Sequence, residues 1–394
     1  MADLFDLKKM LFMKHRWLFL IYILISLGLI FYSYTQVDLN LTLSGNLIYQ
    51  SVQAFLTQIG YFNRPLSSSV YLILVGLLFC VYIYCLGQLI KGKLEKKTIK
   101  WLIGISLILV FAYPAFSYDL FNYMFDARIV TRYGLDPHFF KALDFPLDPW
   151  VRFMRWTHRY YPYGPGWLLL TLVPSYLGFG KFVLTLFLFK VMFLFFHLGT
   201  SIMIWRIAER WGMDRQNLAL VFYALNPLVL IESLVSPHNE VMMIAFALMA
   251  IFFLIKRRTI ISIIFLTISI SFKFLSVVLF PLFWWVKPTT TRFYSWAFWV
   301  WIVALIPVIL SREPYSWYAI PLVALAALCG QRKLHIAVVG VTFGLMLRYM
   351  PYLLRGEYGV VTGNYQNWIF ISGTLITAFA LFIIWQKNPP SASS

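Results

Sequence analysis

The sequence has few charged residues and few cysteines. Charged side chains make up 12% of the 394 residues and hydrophobic ones 61%, whereas a soluble domain carries about 25% charged residues. This composition excludes a soluble globular enzyme. The three cysteines, Cys80, Cys85 and Cys329, lie in apolar stretches without the spacing of a zinc site or a disulfide framework. Acidic residues are scarce too, since 15 Asp and Glu face 33 Lys and Arg. In so apolar a chain we expect this excess of positive charge to mark the cytoplasmic loops of membrane helices. No nucleic-acid partner is expected.

Long apolar runs fill most of the chain and predict the fold class. At about 20 residues per crossing, they predict an all-α polytopic integral membrane protein with about 12 transmembrane helices, in a range of 10 to 13, forming a single membrane domain over residues 1–394. The runs are 17–32, 69–90, 101–116, 182–207, 218–235, 241–255, 260–272, 274–286, 296–310, 319–328, 336–350 and 368–385.

Basic residues predict the orientation of these helices. The first run follows Lys8, Lys9, Lys14 and Arg16 and no small-residue cleavage site comes after it, so it reads as a retained anchor with a cytoplasmic N-terminus. With twelve crossings the C-terminus is cytoplasmic as well, and most other Lys and Arg fall on that same side. Residues 117–180 then form a long external loop.

The long loop, residues 117–180, is unusual for an external segment because it is basic. Its stretch 166–178 is apolar but too short to span, so we expect it to be interfacial or re-entrant, entered through the Pro- and Gly-rich turn 161–166. The loop also holds several aspartates among aromatic residues, which indicates a functional site. Its basic residues are Arg128, Arg132, Lys141, Arg152, Arg155 and Arg159.

Asp119 directly follows the third apolar run and is the candidate general base. If the segment is helical, Asp119, Asn122, Tyr123 and Asp126 share one face. A carboxylate at the membrane boundary could accept the proton of a hydroxyl. The alternatives are a helix cap for Asp119 and an ion pair with a nearby arginine for Asp126.

Three basic residues are candidates for binding a phosphate. Arg128 offers planar donors close in sequence to Asp119, Lys273 stands alone between two apolar runs, and Arg312 lies in an aromatic turn. The alternatives are contact with lipid headgroups for the arginine, snorkelling to the surface for the lysine, and an aromatic belt for the turn.

A third polar group surrounds the turn between the fifth and sixth runs. Glu232 lies inside an apolar run, where an ionisable residue is a functional candidate. His238, Asn239 and Glu240 follow it and could hydrogen-bond the hydroxyls of a sugar, with Asp126 and Tyr163 from the long loop. The alternative is a polar hairpin that caps the next helix.

These pieces, in this order and on one predicted membrane face, resemble the GT-C superfamily of membrane glycosyltransferases, in particular bacterial polyprenyl-phosphate-mannose-dependent mannosyltransferases. Glu240 stands where family members often have an aspartate, and Asp119 precedes Leu120 where they often have paired acids. The pieces are Asp119, Ala127-Arg128, Gly134-Leu135-Asp136-Pro137, the turn 161–166, Asn226-Pro227-Leu228, Glu232, His238-Asn239-Glu240 and Lys273.

The resemblance implies an inverting glycosyltransferase with Asp119 as catalytic base. It would move mannose or another hexose from a polyprenyl-phosphate donor to a glycan, lipid or protein acceptor, on the outer face of a bacterial plasma membrane. No cofactor is required, and no ligand spacing implies a metal, although clustered external aspartates could hold a divalent cation. The sequence contains no Asp-x-Asp tripeptide and no sizeable soluble region, which disfavours a metal-dependent nucleotide-sugar transferase.

A transporter or flippase of lipid-linked sugars is the main alternative, because it would use the same intramembrane charges and phosphate site. Transporters tend to show inverted repeats with polar residues near the midplane, whereas here the polar residues collect on one face. A non-catalytic scaffold accounts poorly for Glu232 and Lys273, since packing between spanning helices favours small and apolar residues.

Overall fold

The computed structural model describes residues 2–39, 41 and 43–387, and every regular element in them is helical. The first nine helices are α1 (Ala2–Tyr34), α2 (Leu47–Thr57), α3 (Arg64–Ile90), α4 (Lys96–Ser106), α5 (Asp119–Tyr133), α6 (Pro165–Leu177), α7 (Phe182–Ala208), α8 (Met213–Ala224) and α9 (Pro227–Leu230). The remaining helices are α10 (Glu240–Ile255), α11 (Thr259–Phe272), α12 (Leu282–Trp285), α13 (Thr291–Ser311), α14 (Ala319–Cys329), α15 (Arg332–Leu347), α16 (Tyr349–Arg355) and α17 (Val360–Lys387). The all-α prediction is therefore confirmed for this part of the chain.

Fewer helices are long enough to cross a membrane than the sequence predicted. Each of the twelve apolar runs contains helical residues, but six spans in the described residues are long and apolar enough to cross, or seven if α8 and residues 227–235, bent by 51°, count as one. Five other apolar helical segments have only 10–17 residues. The count of about twelve is therefore not confirmed. The six spans are Arg16–Tyr34, Arg64–Ile90, Phe182–Trp211, Thr291–Ser311, Arg332–Arg355 and Val360–Ile384.

Helix α2 is an element that the apolar pattern did not predict. Its N-cap, Asn46, accepts hydrogen bonds from the N–H groups of Ile48 and Tyr49. A π-helical turn, Gln58–Phe62, continues it, and Gly60 there lies against the carbonyl of Thr35 so closely that a Cβ would not fit. The segment has no apolar run long enough to span a membrane, so hydropathy does not predict a helix there.

The centre of the bundle is the helical hairpin formed by α8, α9 and α10. Nearly every side chain from 219 to 251 is buried, because α7, α11, α14 and α15 pack around this hairpin. The turn at the tip of the hairpin, residues 236–239, is buried as well. Polar groups placed there are held by protein on all sides.

Contacts between distant segments group the connecting loops at two ends of the bundle. At one end, Tyr34 donates to the carbonyl of Phe111 at 2.9 Å, and the Phe116 N–H donates to Ser236 Oγ at 2.9 Å. At the other end the Lys96 ammonium lies 5.2 Å from the centre of the Trp205 ring. The candidate site residues lie at the first end, and the clustered basic loops lie at the second.

Candidate active site

The long loop is docked onto the bundle by two glycines. A Cβ at Gly164 would meet the carbonyl of Ser271, and one at Gly166 would meet the Ser271 hydroxyl. The Gly164 N–H also donates to the carbonyl of Phe272 at 3.3 Å. These contacts place the loop on the break between α11 and the 3₁₀ turn Phe274–Leu279, where Lys273 lies as the sequence predicted.

Asp119 is the first residue of α5, and its side chain is 15% exposed. Trp156 donates its Nε1–H to Asp119 Oδ1 at 3.2 Å, and the second oxygen lies 3.7 Å from His238 Nε2. The N-cap position of α5 is Tyr118, and no side chain caps the helix there. The carboxylate is therefore held by side chains of two other segments, which favours a functional role over helix capping.

His238 connects Asp119 to Glu232. Its Nδ1 lies 2.9 Å from Glu232 Oε2, and its Nε2 lies 3.1 Å from Ser117 Oγ. Burial alone would lower the pKa of His238, but Glu232, with the charges of Asp119 and Glu240, raises it above its ordinary value. The imidazole thus keeps its proton to a higher pH than an ordinary histidine.

Residues from the C-terminal third of the chain hold this pair in place. Ser316 donates to Glu232 Oε1 at 2.6 Å and Tyr349 donates to the same oxygen at 2.8 Å. The Trp317 ring stacks on His238 with centroids 4.0 Å apart. Glu232 and His238 are fully buried, so these contacts leave the imidazole one orientation.

Lys190 fixes the segment that carries Glu232. It is buried in α7 and donates to the carbonyls of Leu234 and Val235, the latter at 2.8 Å. These carbonyls end a π-helical turn, Ile231–Val235, and would otherwise lack a partner. No role was predicted for Lys190 from the sequence, although a lone lysine in an apolar run was the available signal.

A second polar cluster contains Tyr163, Glu240 and Lys273. The Lys273 ammonium pairs with Glu240 Oε1 and lies 5.4 Å from the centre of the Tyr163 ring. Three neighbouring polar groups are buried and have no hydrogen-bond partner in the described residues: Glu240 Oε2, the Tyr123 hydroxyl and both amide atoms of Asn239. Asn239 precedes α10 without capping it, so the capping alternative is not supported for its side chain.

Asp126 lies on the same face of α5 as Asp119, about two turns further along, and this predicted helical face is confirmed. Burial and the negative charge of Asp119 raise the pKa of Asp126 from 3.8 to about 8. The raised pKa therefore favours the protonated form of Asp126 at neutral pH.

Replacing Asp126 by Asn should remove a pH-dependent loss of stability. Between the unfolded pKa of 3.8 and the folded pKa of about 8, the folded state binds more protons, so stability falls as pH rises. The melting temperature of Asp126→Asn relative to the unmodified protein should therefore rise from pH 5 to pH 9. Thermal unfolding in detergent measures this difference. Asp144→Asn, in the exposed part of the same loop, is the control, and an equal pH slope for the two variants would contradict the prediction.

The structure places Arg128 away from Asp119. Nine residues separate them on α5, about two and a half turns, so they point to opposite sides of the helix. The Arg128 Nε lies 2.7 Å from Asp148 Oδ2, the guanidinium lies 4.0 Å from the centre of the Trp150 ring, and the side chain is 5% exposed. Nearness in sequence to Asp119 therefore does not place it at the site, and the geometry favours a role in holding the loop.

Replacing Arg128 by Met should destabilise the protein by about 3–5 kcal/mol, because Asp148 would stay buried without its partner. Thermal unfolding in detergent measures the loss, with Arg152→Met, an exposed arginine of the same loop, as control. Normal stability combined with weaker binding of a lipid phosphate would support the phosphate role predicted from the sequence instead.

Two exposed arginines lie at the rim of the site. Arg312 follows α13 and neighbours Tyr318. The Arg159 guanidinium lies 4.0 Å from the centre of the ring of Trp156, the residue that donates to Asp119. Arg159 was one of the basic loop residues in the sequence, and only the fold shows its place beside Asp119.

Among the described residues no group of three or more His, Cys, Asp or Glu is arranged to hold a metal ion, and the prediction about metals stays a prediction.

Comparison with known proteins matches residues 43–289 to the family model described as alpha-(1->6)-mannopyranosyltransferase, N-terminal domain. The chain belongs to this family. The matched segment includes Asp119, Glu232, His238 and Lys273, whereas Arg312 lies beyond it. The resemblance to bacterial membrane mannosyltransferases is thereby confirmed at the level of the family.

Two curated members of the mannopyranosyltransferase family are similar to the chain. Alpha-(1->6)-mannopyranosyltransferase A of Mycobacterium tuberculosis is 27% identical over 206 residues, which cover 51% of this chain and 38% of the relative. The protein of the same name from Corynebacterium glutamicum is 24% identical over 184 residues, covering 45% and 36%. The matches thus span less than two fifths of each relative's length. No solved structure matches the chain.

Proposed function

We propose that the protein transfers mannose from a polyprenyl-phosphate donor to a hydroxyl of an acceptor on the non-cytoplasmic face of a bacterial plasma membrane. The observation that carries the proposal is the Asp119 carboxylate, 15% exposed and held between Trp156 and His238. The activity in the family's name supports mannose as the sugar and a 1→6 linkage as the product.

Asp119 acts as the general base in this proposal. It takes the proton of the acceptor hydroxyl while the hydroxyl oxygen bonds to the anomeric carbon and the bond from that carbon to the phosphate oxygen breaks. A single displacement inverts the anomeric centre, so an α-linked product requires a β-linked donor. The lipid phosphate leaves with the electron pair of the broken bond.

Basic residues near Asp119 would stabilise the departing phosphate. Arg159 and Arg312 are exposed at the rim, whereas Lys273 already pairs with Glu240. A guanidinium can donate two parallel hydrogen bonds to phosphate oxygens. We therefore assign the larger part of phosphate binding to the two arginines and a smaller part to Lys273.

The buried polar groups without partners would bind the donor sugar. Buried polar atoms are almost always hydrogen-bonded in native proteins, and Asn239, Glu240 and Tyr123 supply several that are not. A hexose presents donor and acceptor hydroxyls that would complete them. Glu232 and His238 lie 2.9 Å apart and are fully buried, so we assign them to supporting Asp119 rather than to direct sugar contact.

The proposal includes no cofactor. The acceptor is a glycan, a lipid or a protein, and the 1→6 linkage in the family name favours the primary hydroxyl of a sugar. An intact lipid bilayer is required because the donor is anchored in it.

Incubation of the purified protein in lipid vesicles with a panel of radiolabelled polyprenyl-phosphate sugars tests the proposal. With a cell-envelope extract as acceptor, polyprenyl-phosphate mannose should give product and the other sugars little. Product from a nucleotide sugar alone would contradict the donor. Movement of the labelled donor across the bilayer without transfer would support the flippase alternative.

Reporter fusions test the orientation separately. A fusion within the long loop, at exposed Leu147, should report the non-cytoplasmic side, and one at exposed Lys93 should report the cytoplasm. The reverse result would place Asp119 on the wrong side for the proposed reaction.

A further inference from the structure

A second group of side chains begins one residue before Asp119. The Arg155 guanidinium lies 4.6 Å from the centre of the Tyr118 ring, and one of its nitrogens lies 3.7 Å from Asp38 Oδ2. Asp38 belongs to the segment that follows α1, and Arg155 belongs to the long loop. The pair therefore joins these two segments at Tyr118, the residue that precedes the candidate base.

Three further tyrosines surround this pair. Tyr352 and Tyr358 stack on each other with ring centroids 4.2 Å apart. Both are close enough to Tyr118 to interact with it electrostatically. Tyr61, from the π-helical turn after α2, is within range of Tyr118 and Tyr352. We call these residues the tyrosine cluster: Asp38, Tyr61, Tyr118, Arg155, Tyr352 and Tyr358.

The segments that supply the cluster are fixed by a close contact between Arg64 and Gly356. The Arg64 guanidinium lies against Gly356 so closely that a Cβ would collide with it. Gly356 has φ +76, a conformation that favours glycine. This contact joins the start of α3 to the end of α16, and so brings Tyr61 to the same region as Tyr352 and Tyr358.

A buried hydroxyl without a partner lies at the base of the cluster. Tyr113 is 2% exposed, and its hydroxyl has no hydrogen-bond partner in the described residues. Its electrostatic neighbours include Tyr118, Tyr61 and Asp38. A ligand with hydroxyl groups would complete it.

The chemistry of the cluster suits a neutral sugar. Tyrosine presents a flat apolar face, which packs on the C–H face of a pyranose ring, and a hydroxyl that can hydrogen-bond the sugar. Asp38 and Arg155 offer charged acceptors and donors while their formal charges cancel. A phosphate would instead be drawn to the arginines at the rim, Arg159 and Arg312.

The exposure of the cluster separates it from ordinary core packing. Tyr358 is 71% exposed and the Arg155 side chain 47% exposed, so the cluster is open to a ligand. We propose that the tyrosine cluster binds the acceptor glycan and presents its hydroxyl to Asp119. This inference rests on the proposed function, because it assumes that Asp119 accepts the proton of that hydroxyl.

Two variants, Tyr358→Ala and Arg155→Gln, test the inference with an α-(1→6)-linked mannotriose as probe. Tyr358 is exposed and the Arg155 side chain is nearly half exposed, so the variants should fold. We expect the KM for mannotriose to rise about tenfold in each, while the KM for the donor and the kcat at saturating mannotriose stay within about twofold. Calorimetric titration of mannotriose without donor should show the same loss of affinity. Tyr160→Ala and Arg152→Gln, exposed residues of the long loop that also carries Arg155, are the matched controls and should change neither constant.

Three results would overturn the inference. An unchanged KM for mannotriose in both variants would leave the cluster with a structural role only, and a raised KM for the donor alone would assign it to the donor. An equal change in the control variants would make the effect a general one of the loop. If the unmodified protein transfers no mannose, the proposed function fails, and the calorimetric titration still decides whether the cluster binds a glycan.

Discussion

Replacing Asp119 by Asn is expected to lower kcat for mannose transfer by a factor of about a hundred or more, since the amide cannot accept the proton of the acceptor hydroxyl. The substitution is nearly isosteric, and its oxygen can still accept the hydrogen bond of Trp156, which now spans 3.2 Å. The protein should therefore fold and bind the donor normally. Initial rates with radiolabelled donor in lipid vesicles measure the loss.

Asp144→Asn is the matched control for this variant, because Asp144 is an exposed aspartate of the same loop. It should retain the full rate. Transfer by Asp119→Asn within a few-fold of the unmodified protein would remove Asp119 from the role of base and would leave the mechanism without one.

Replacing Glu232 by Gln is expected to lower kcat by a factor on the order of ten to a hundred. The glutamine oxygen can still accept from Ser316 and Tyr349, so the C-terminal contacts survive, but the negative charge beside His238 disappears. Since Glu232 helps to raise the pKa of His238, that pKa should fall in the variant. The imidazole would then lose its proton, and with it the positive charge 3.7 Å from Asp119, at a lower pH.

The pH profile distinguishes this role from a structural one. If the protonated imidazole is the active form, the alkaline fall in kcat should move to lower pH in Glu232→Gln, while the KM values change little. Glu209→Gln, an exposed glutamate near the basic end of the bundle, should leave the profile in place. An equal loss of rate at every pH, with a lower melting temperature, would mean that Glu232 serves only to hold the fold.

The polar residues of the site could be predicted because they stand out in an apolar chain. Glu232 and Lys273 interrupt long hydrophobic runs, and the structure places both in ion-pair contacts, Glu232 with His238 and Lys273 with Glu240. The shared face of Asp119 and Asp126 followed from the helical repeat alone.

The partners of these residues could not be predicted, because the contacts join distant parts of the chain. Tyr349 is 117 residues from Glu232, and Lys190 is 44 residues from Leu234. Arg128 shows the reverse case, since its nearness in sequence to Asp119 suggested a place at the same site, whereas the helix directs the two side chains to opposite sides. The number of crossings stays a prediction, because five of the apolar helical segments have only 10–17 residues and hydropathy does not indicate where a helix bends, as at residues 225–227.

The support of His238 by Trp317, and of Glu232 by Ser316 and Tyr349, comes from beyond the segment that matches the family model, residues 43–289. A chimera that keeps that segment and takes its C-terminal helices from a relative would thus place different side chains around His238 and Glu232, and so change the surroundings of the base. Such hybrids would vary the pH dependence of the reaction while Asp119, Glu232 and His238 stay unchanged.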